Sequence, residues 1–125
     1  MVLIDSSIWI NLYRKKTHHI GELVWSLVAN NKAAICGQIL VEFLGGFRTA
    51  LEWETNKKAL ELFPFLETTK ETYMLASNLL AKYPKLGPGD VIIGATAITN
   101  SVKLLTFDND FQLLKSEGLE LLQKK

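Results

Sequence analysis

Short apolar runs alternate with amphipathic stretches along this chain. Val2–Ile4 and Ala33–Cys36 are uninterrupted apolar runs of strand length. Phe65–Glu67, Lys103–Thr106 and Gly118–Leu121 are expected as further short strands. Between them, apolar residues recur at helical spacing. Ile20, Leu23, Val24, Leu27 and Val28 form a stripe in His18–Asn30, and Ile39, Leu40, Phe43, Leu44 and Phe47 form one in Gln38–Ala50. Glu52–Leu62 reads as a helix broken before Pro64, and Thr69–Lys82 as another through Tyr73, Ala76, Leu79 and Leu80. Ser6 or Ser7 is expected to cap Ile8–Arg14, and Asp90 to cap Val91–Asn100, a helix with no charge of its own. Asp108–Lys115 is a short helix, Asn30-Asn31 a turn, and Tyr83–Gly89, holding Pro84 and Pro88, a loop.

Strands alternating with helices predict an α/β fold. The expectation is a three-layer α/β/α domain over residues 1–125, with a central, mainly parallel sheet of about five strands. Hydrophobic residues make up 48% of the 125 and charged residues 22%, the profile of a soluble globular domain able to bury a core. The net charge of +1 gives no global attraction to a polyanion, so nucleic-acid contact must come from a local patch. The single cysteine, Cys36, excludes an internal disulfide and fits a reducing cytoplasm. No apolar run is long enough to cross a bilayer, and the N-terminus lacks a signal-peptide pattern, so no membrane partner is expected.

Four acids sit at strand exits or helix starts: Asp5, Glu42, Asp90 and Asp108, with Asp110 competing for the fourth place. Several border apolar runs, where an ionised carboxylate is costly unless compensated. A parallel α/β sheet gathers such positions at the carboxyl ends of its strands, and carboxylates gathered there suit a hard divalent cation. Taken singly, Asp5 and Asp90 also read as helix caps, Glu42 as a surface glutamate, and Asp108 or Asp110 as a turn residue.

The order and spacing of four stretches resemble the PIN-domain family, and within it the small VapC-like toxins. These are Leu3-Ile4-Asp5-Ser6-Ser7, Ile39-Leu40-Val41-Glu42-Phe43, Gly89-Asp90-Val91-Ile92-Ile93-Gly94-Ala95-Thr96-Ala97 and Leu105-Thr106-Phe107-Asp108-Asn109-Asp110-Phe111. Gly94 departs from the family's usual larger residue, and the loop before Asp90 is rich in Pro and Gly. The resemblance implies a Mg²⁺- or Mn²⁺-dependent endoribonuclease, cytoplasmic, held by a cognate antitoxin and forming a homodimer. It implies Asp5 and Asp90 as principal metal ligands, with Glu42 and Asp108 (or Asp110) acting through water or a second ion. Ser6 and Thr106 are candidates for hydroxyls that orient a carboxylate or the attacking water, with local backbone hydrogen bonding as the equal alternative. Arg14, Lys15, Lys16 and Arg48 are candidates for contacts to RNA phosphates, with a solvated loop or helix face as the more frequent role of such residues.

The remaining side chains read more plainly. Trp9, Trp25 and Trp53 are expected in the core, with an apolar groove for a partner helix as the alternative. His18 and His19 are surface residues, and Cys36 a small buried one. A phosphoacceptor receiver domain fits poorly, since Asp5-Ser6-Ser7 lacks the acidic pair and Phe65-Leu66-Glu67 the acceptor Asp. A haloacid-dehalogenase-type phosphatase is disfavoured, because the first strand leads into Asp5-Ser6-Ser7 rather than Asp-x-Asp. A non-catalytic RNA- or protein-binding module stays open.

Overall fold

The computed structural model describes residues 1–15 and 18–124, leaving the side chain of His18 outside the description; Lys16, one of the expected phosphate contacts, also lies outside it. The elements run β1 (Val2–Ile4), α1 (Ser6–Tyr13), α2 (His18–Ala29), β2 (Ala33–Cys36), α3 (Gly37–Leu44), α4 (Ala50–Leu60), β3 (Phe65–Leu66), α5 (Lys70–Lys82), α6 (Pro88–Thr99) and β4 (Lys103–Leu105), closed by a 3₁₀ helix (Asn109–Glu117). The sheet has four strands in the order β3-β2-β1-β4, all parallel. Every residue of β1 and β2 is buried. That is the mark of a parallel sheet covered by helices on both faces, and it explains why both strands read as unbroken apolar runs.

The expected fifth strand does not form. Leu121 makes an isolated parallel bridge to Leu104, with Leu104 N donating to Glu120 O and Leu122 N to Leu104 O, both at 2.9 Å. One bridge is what the segment sustains, because a run of polar Gln123, Lys124 and Lys125 follows it.

Chain order reverses at β1: β2 and β3 lie to one side of it and β4 to the other. The crevice beyond the carboxyl ends of β1 and β4 is thus a topological switch point. Helix ends set what faces it. Asp5, rather than Ser6 or Ser7, caps α1, its Oδ1 accepting from Ser6 N at 2.9 Å. Helix α3 stops at Leu44, before Gly45-Gly46, instead of running to Ala50, so Arg48 is not on the Glu42 helix. Thr49 then opens α4, accepting from Glu52 N. Helix α6 begins three residues earlier than expected, with Gly87 at the cap and Pro88 in the first turn, where a missing N–H is harmless. Asp90 is therefore inside the first turn rather than the cap, and accepts from Gly87 N at 3.3 Å.

The core is built from β1, β2 and the inner faces of α1, α3, α5 and α6, including Leu3, Ile4, Ile8, Ile39, Leu79 and Ile93, each at most 1% exposed. Burying one such side chain stabilises by about 1.5–3 kcal/mol. Gly94 lies where α6 meets the 3₁₀ helix, and a Cβ there would stand 2.5 Å from Leu114 Cδ1. The departure from a larger residue thus lets Leu114 pack flush against α6. Trp9 is buried and donates from its indole N–H to Ile4 O at 3.1 Å. Trp25 and Trp53 are not core residues: they are 55% and 40% exposed. His19 is exposed and Cys36 buried, as expected. No described helix is long and apolar enough to cross a membrane.

Candidate functional site

Four carboxylates meet at the switch point. Asp5 follows β1, Glu42 comes from α3 after β2, Asp90 from the first turn of α6, and Asp108 from the exit of β4. Asp5 is the deepest, 4% exposed. Burial pushes its carboxyl above the ordinary value of 3.8; the Thr106 and Ser7 hydroxyls and the Ser6 N–H pull it back, and the Glu42 charge pushes it further up. Asp90 is raised as well. Burial is the largest cause, the Gly87 N–H opposes it, and the charges of Asp108, Asp5 and Glu42 add to it. So the other three acids all press on Asp90. None of the four is in an ion pair among the described residues.

Short hydroxyl bonds fix the orientation of these acids. Thr106 Oγ1 donates to Asp5 Oδ2 at 2.7 Å and accepts from Asp108 N at 3.0 Å, so the β4 exit aims the hydroxyl at the carboxylate. Ser7 Oγ donates to the same Asp5 oxygen at 2.8 Å and accepts from Phe107 N at 3.1 Å. Ser6 Oγ donates to Glu42 Oε1 at 2.6 Å and stands 3.5 Å from Asp5 Oδ1, between the two acids. Glu42 Oε2 accepts from Gln38 Nε2 at 2.9 Å. A Cβ on Gly89 would fall 2.5 Å from that Oε2, so the bare backbone beside Asp90 is what admits Glu42.

Asp108 and Asp110 separate cleanly. Asp108 caps the 3₁₀ helix, its Oδ1 accepting from Asp110 N at 2.9 Å, and its charge acts on Asp90. Asp110 instead pairs with Lys85, its Oδ1 3.2 Å from Lys85 Nζ. Of the basic residues, Arg14 and Arg48 line a cavity of about 270 Å³ that starts at Glu42. Lys15 is exposed just beyond α1. The sequence gives Ser7 a capping role and assigns Gln38 and Gly89 no role at the site. Gln38 carried a signal, since it lies four residues before Glu42 on one helix face; Ser7 and Gly89 owe their places to β4 and α3, remote in sequence.

The donor set is all oxygen, hard and anionic, which suits Mg²⁺ or Mn²⁺ rather than a softer ion. Among the described residues no three His, Cys, Asp or Glu side chains close into a ready cage. Magnesium characteristically binds one or two carboxylates and keeps several waters, so an open cleft of this kind fits it.

The fold recurs in solved structures. A chain of a toxin-antitoxin complex from Klebsiella pneumoniae is 23% identical with a TM-score of 0.75, over 89% of this chain and 90% of that one. A chain of VapBC2 from Rickettsia felis, bound to a DNA fragment from its promoter, is 17% identical with a TM-score of 0.78, over 98% of both chains. VapC20 from Mycobacterium tuberculosis, a Sarcin-Ricin loop cleaving toxin, is 16% identical with a TM-score of 0.70, over 98% of this chain and 99% of that one. No curated protein matches the chain. The PIN domain family matches residues 2–116, and the chain belongs to that family.

Proposed function

We propose that residues 1–125 form a single metal-dependent endoribonuclease domain, the toxin of a toxin-antitoxin pair, acting in the cytoplasm. The observation that carries this reading is the convergence of Asp5, Glu42 and Asp108 on Asp90, with none of the four in an ion pair among the described residues. Such a cluster is stable in its charged form when a divalent ion sits within it.

Asp5 and Asp90 would hold the ion directly, with Glu42 and Asp108 reaching it through water. When bound, Mg²⁺ or Mn²⁺ supplies a hydroxide nucleophile near neutral pH and offsets charge building on the phosphoryl group. The protein's part is positioning. Thr106 and Ser7 hold one oxygen of Asp5, Ser6 and Gln38 hold the two of Glu42, and Arg14, Lys15 and Arg48 neutralise flanking phosphates. The test is cleavage-site mapping on total RNA. Discrete cuts are expected with Mg²⁺ or Mn²⁺ and none with a chelator; cutting in chelator, or none with either ion, sinks the reading.

Thr106→Val is expected to weaken metal affinity and cleavage about tenfold, because Asp5 loses a fixed hydroxyl donor while staying buried. Thr106→Ser should restore most of it. Native-level affinity and cleavage in Thr106→Val, with loss in Thr106→Ser, would show that the methyl group, not the hydroxyl, matters.

A partner protein is supported by an apolar groove between α1, α2 and α4. Trp9, Leu12, Trp25, Val28, Leu62 and Phe63 line it, in a cavity of about 370 Å³, with Leu62 81% exposed. An amphipathic helix of a cognate antitoxin would cover that surface. Exposed Tyr73 and Met74 on α5 support a homodimer through a separate face, which sedimentation of the purified chain would show.

A further inference from the structure

We propose that the cavity beside Glu42 is a base-reading subsite, in which the Glu52 carboxylate recognises guanine next to the scissile phosphate. This rests on the ribonuclease reading and adds a sequence preference to it.

The cavity has the parts such a subsite needs. Its lining includes Glu42, one of the four converging acids, and the exposed Arg14 and Arg48. Its walls are aromatic. Tyr13 and Phe47 meet edge-to-face with centroids 4.9 Å apart, and Phe43 meets Phe47 the same way at 5.1 Å. Tyr13 is 46% exposed, so part of its side chain remains accessible to a base. Single-stranded RNA is read by this combination: stacking on aromatic rings, and hydrogen bonds to the Watson–Crick edge of a splayed base.

Glu52 supplies the reading group. It reaches the cavity from α4 and accepts from the Tyr13 hydroxyl at 2.7 Å and from Thr49 Oγ1 at 3.0 Å. These two bonds, the Tyr13 one the larger cause, hold its carboxyl below the ordinary value of 4.5. They fix the carboxylate's orientation and use one acceptor position on each oxygen, leaving others free. An oriented carboxylate with both oxygens available matches a base edge that presents two adjacent N–H donors. Guanine has that edge in N1–H and the N2 amino group. Adenine and cytosine offer one amino donor beside a ring acceptor that an anion repels, and uracil one N–H between two carbonyls. A merely structural Tyr13–Glu52 strut between α1 and α4 would have no base preference.

The experiment cleaves a pool of short RNAs, randomised at the positions flanking one susceptible bond, with the native chain, Glu52→Gln and Tyr13→Phe. Native protein is expected to favour guanine at one flanking position by about tenfold or more. Glu52→Gln is expected to bring that ratio close to one, because its amide opposes a donor to a donor. Tyr13→Phe, which frees the carboxylate's orientation, should reduce the ratio partway. Thermal unfolding of each variant shows that the fold persists. No guanine preference in native protein, or the same preference in Glu52→Gln, overturns the inference; an unaltered ratio leaves the cavity to a protein partner. If no RNA is cut at all, the ribonuclease reading fails first. The subsite is then judged by anisotropy of labelled RNA pentamers differing in one base, where equal binding of guanine and adenine pentamers overturns it independently.

Discussion

Asp90→Asn is expected to lower RNA cleavage by about three orders of magnitude while making the metal-free protein more stable at neutral pH. The two effects share one cause. Burial and the charges of Asp108, Asp5 and Glu42 raise the Asp90 carboxyl above the value of 3.8 it has when unfolded. Between those two values the folded state binds more protons than the unfolded state, so stability falls as pH rises through that window and stays lower above it. Asparagine carries no charge and still offers Gly87 N an acceptor, so it removes the destabilisation without removing the bond. The gain is on the order of a degree or two in melting temperature, because the group is partly solvated. Three melting curves check it. The variant should melt above native at pH 7 without metal, the gap should close as pH falls towards 4, and millimolar Mg²⁺ should stabilise native more than the variant. Native-level cleavage by Asp90→Asn would sink the proposed site, and a variant less stable at pH 7 than native would sink the electrostatic account of it.

What the sequence discloses here divides by range. β1 and β2 are legible to the residue, because a strand buried on both faces leaves an unbroken apolar run. The four acids are legible as a set, because a parallel sheet places strand exits together whatever the loops do. Helix caps are less so. Whether Asp5 or Ser6 caps α1, or Gly87 or Asp90 opens α6, depends on the path of the incoming chain rather than on which residue is able to cap. Trp25 and Trp53 are large apolar side chains of the kind that fill cores yet line grooves, because residue type shows what a side chain prefers and not what covers it. Asp110 pairs with Lys85, a side chain in another loop, while Asp108 bears on Asp90, and no local pattern records either contact.

Gly89→Ala is expected to cut cleavage about a hundredfold and leave stability near native, which would separate the shape of the site from its charge. An added Cβ would stand 2.5 Å from Glu42 Oε2 and 2.9 Å from Gln38 Nε2, inside any tolerable contact. Both atoms are the ends of flexible side chains, so the fold yields by moving them rather than by opening. Gly89 has no left-handed φ, and alanine in the first turn of α6 is a better helix former by up to about 1 kcal/mol, so the backbone accepts the change. The displaced group is Glu42, which then loses its bond to Gln38 or to Ser6 and its approach to Asp90. A misplacement of about an ångström at a reacting centre is enough for a loss of that size. Gly87→Ala is the matched comparison: a Cβ there meets nothing within 4 Å, and the N–H that bonds Asp90 is retained. If Gly89→Ala cleaves as fast as Gly87→Ala, Glu42 does not need the position it holds, and three acids suffice. If Gly89→Ala is slow but melts with native protein, the glycine is there to let an α3 carboxylate reach the α6 end, a requirement set by two helices and not by the chemistry of its neighbours in sequence.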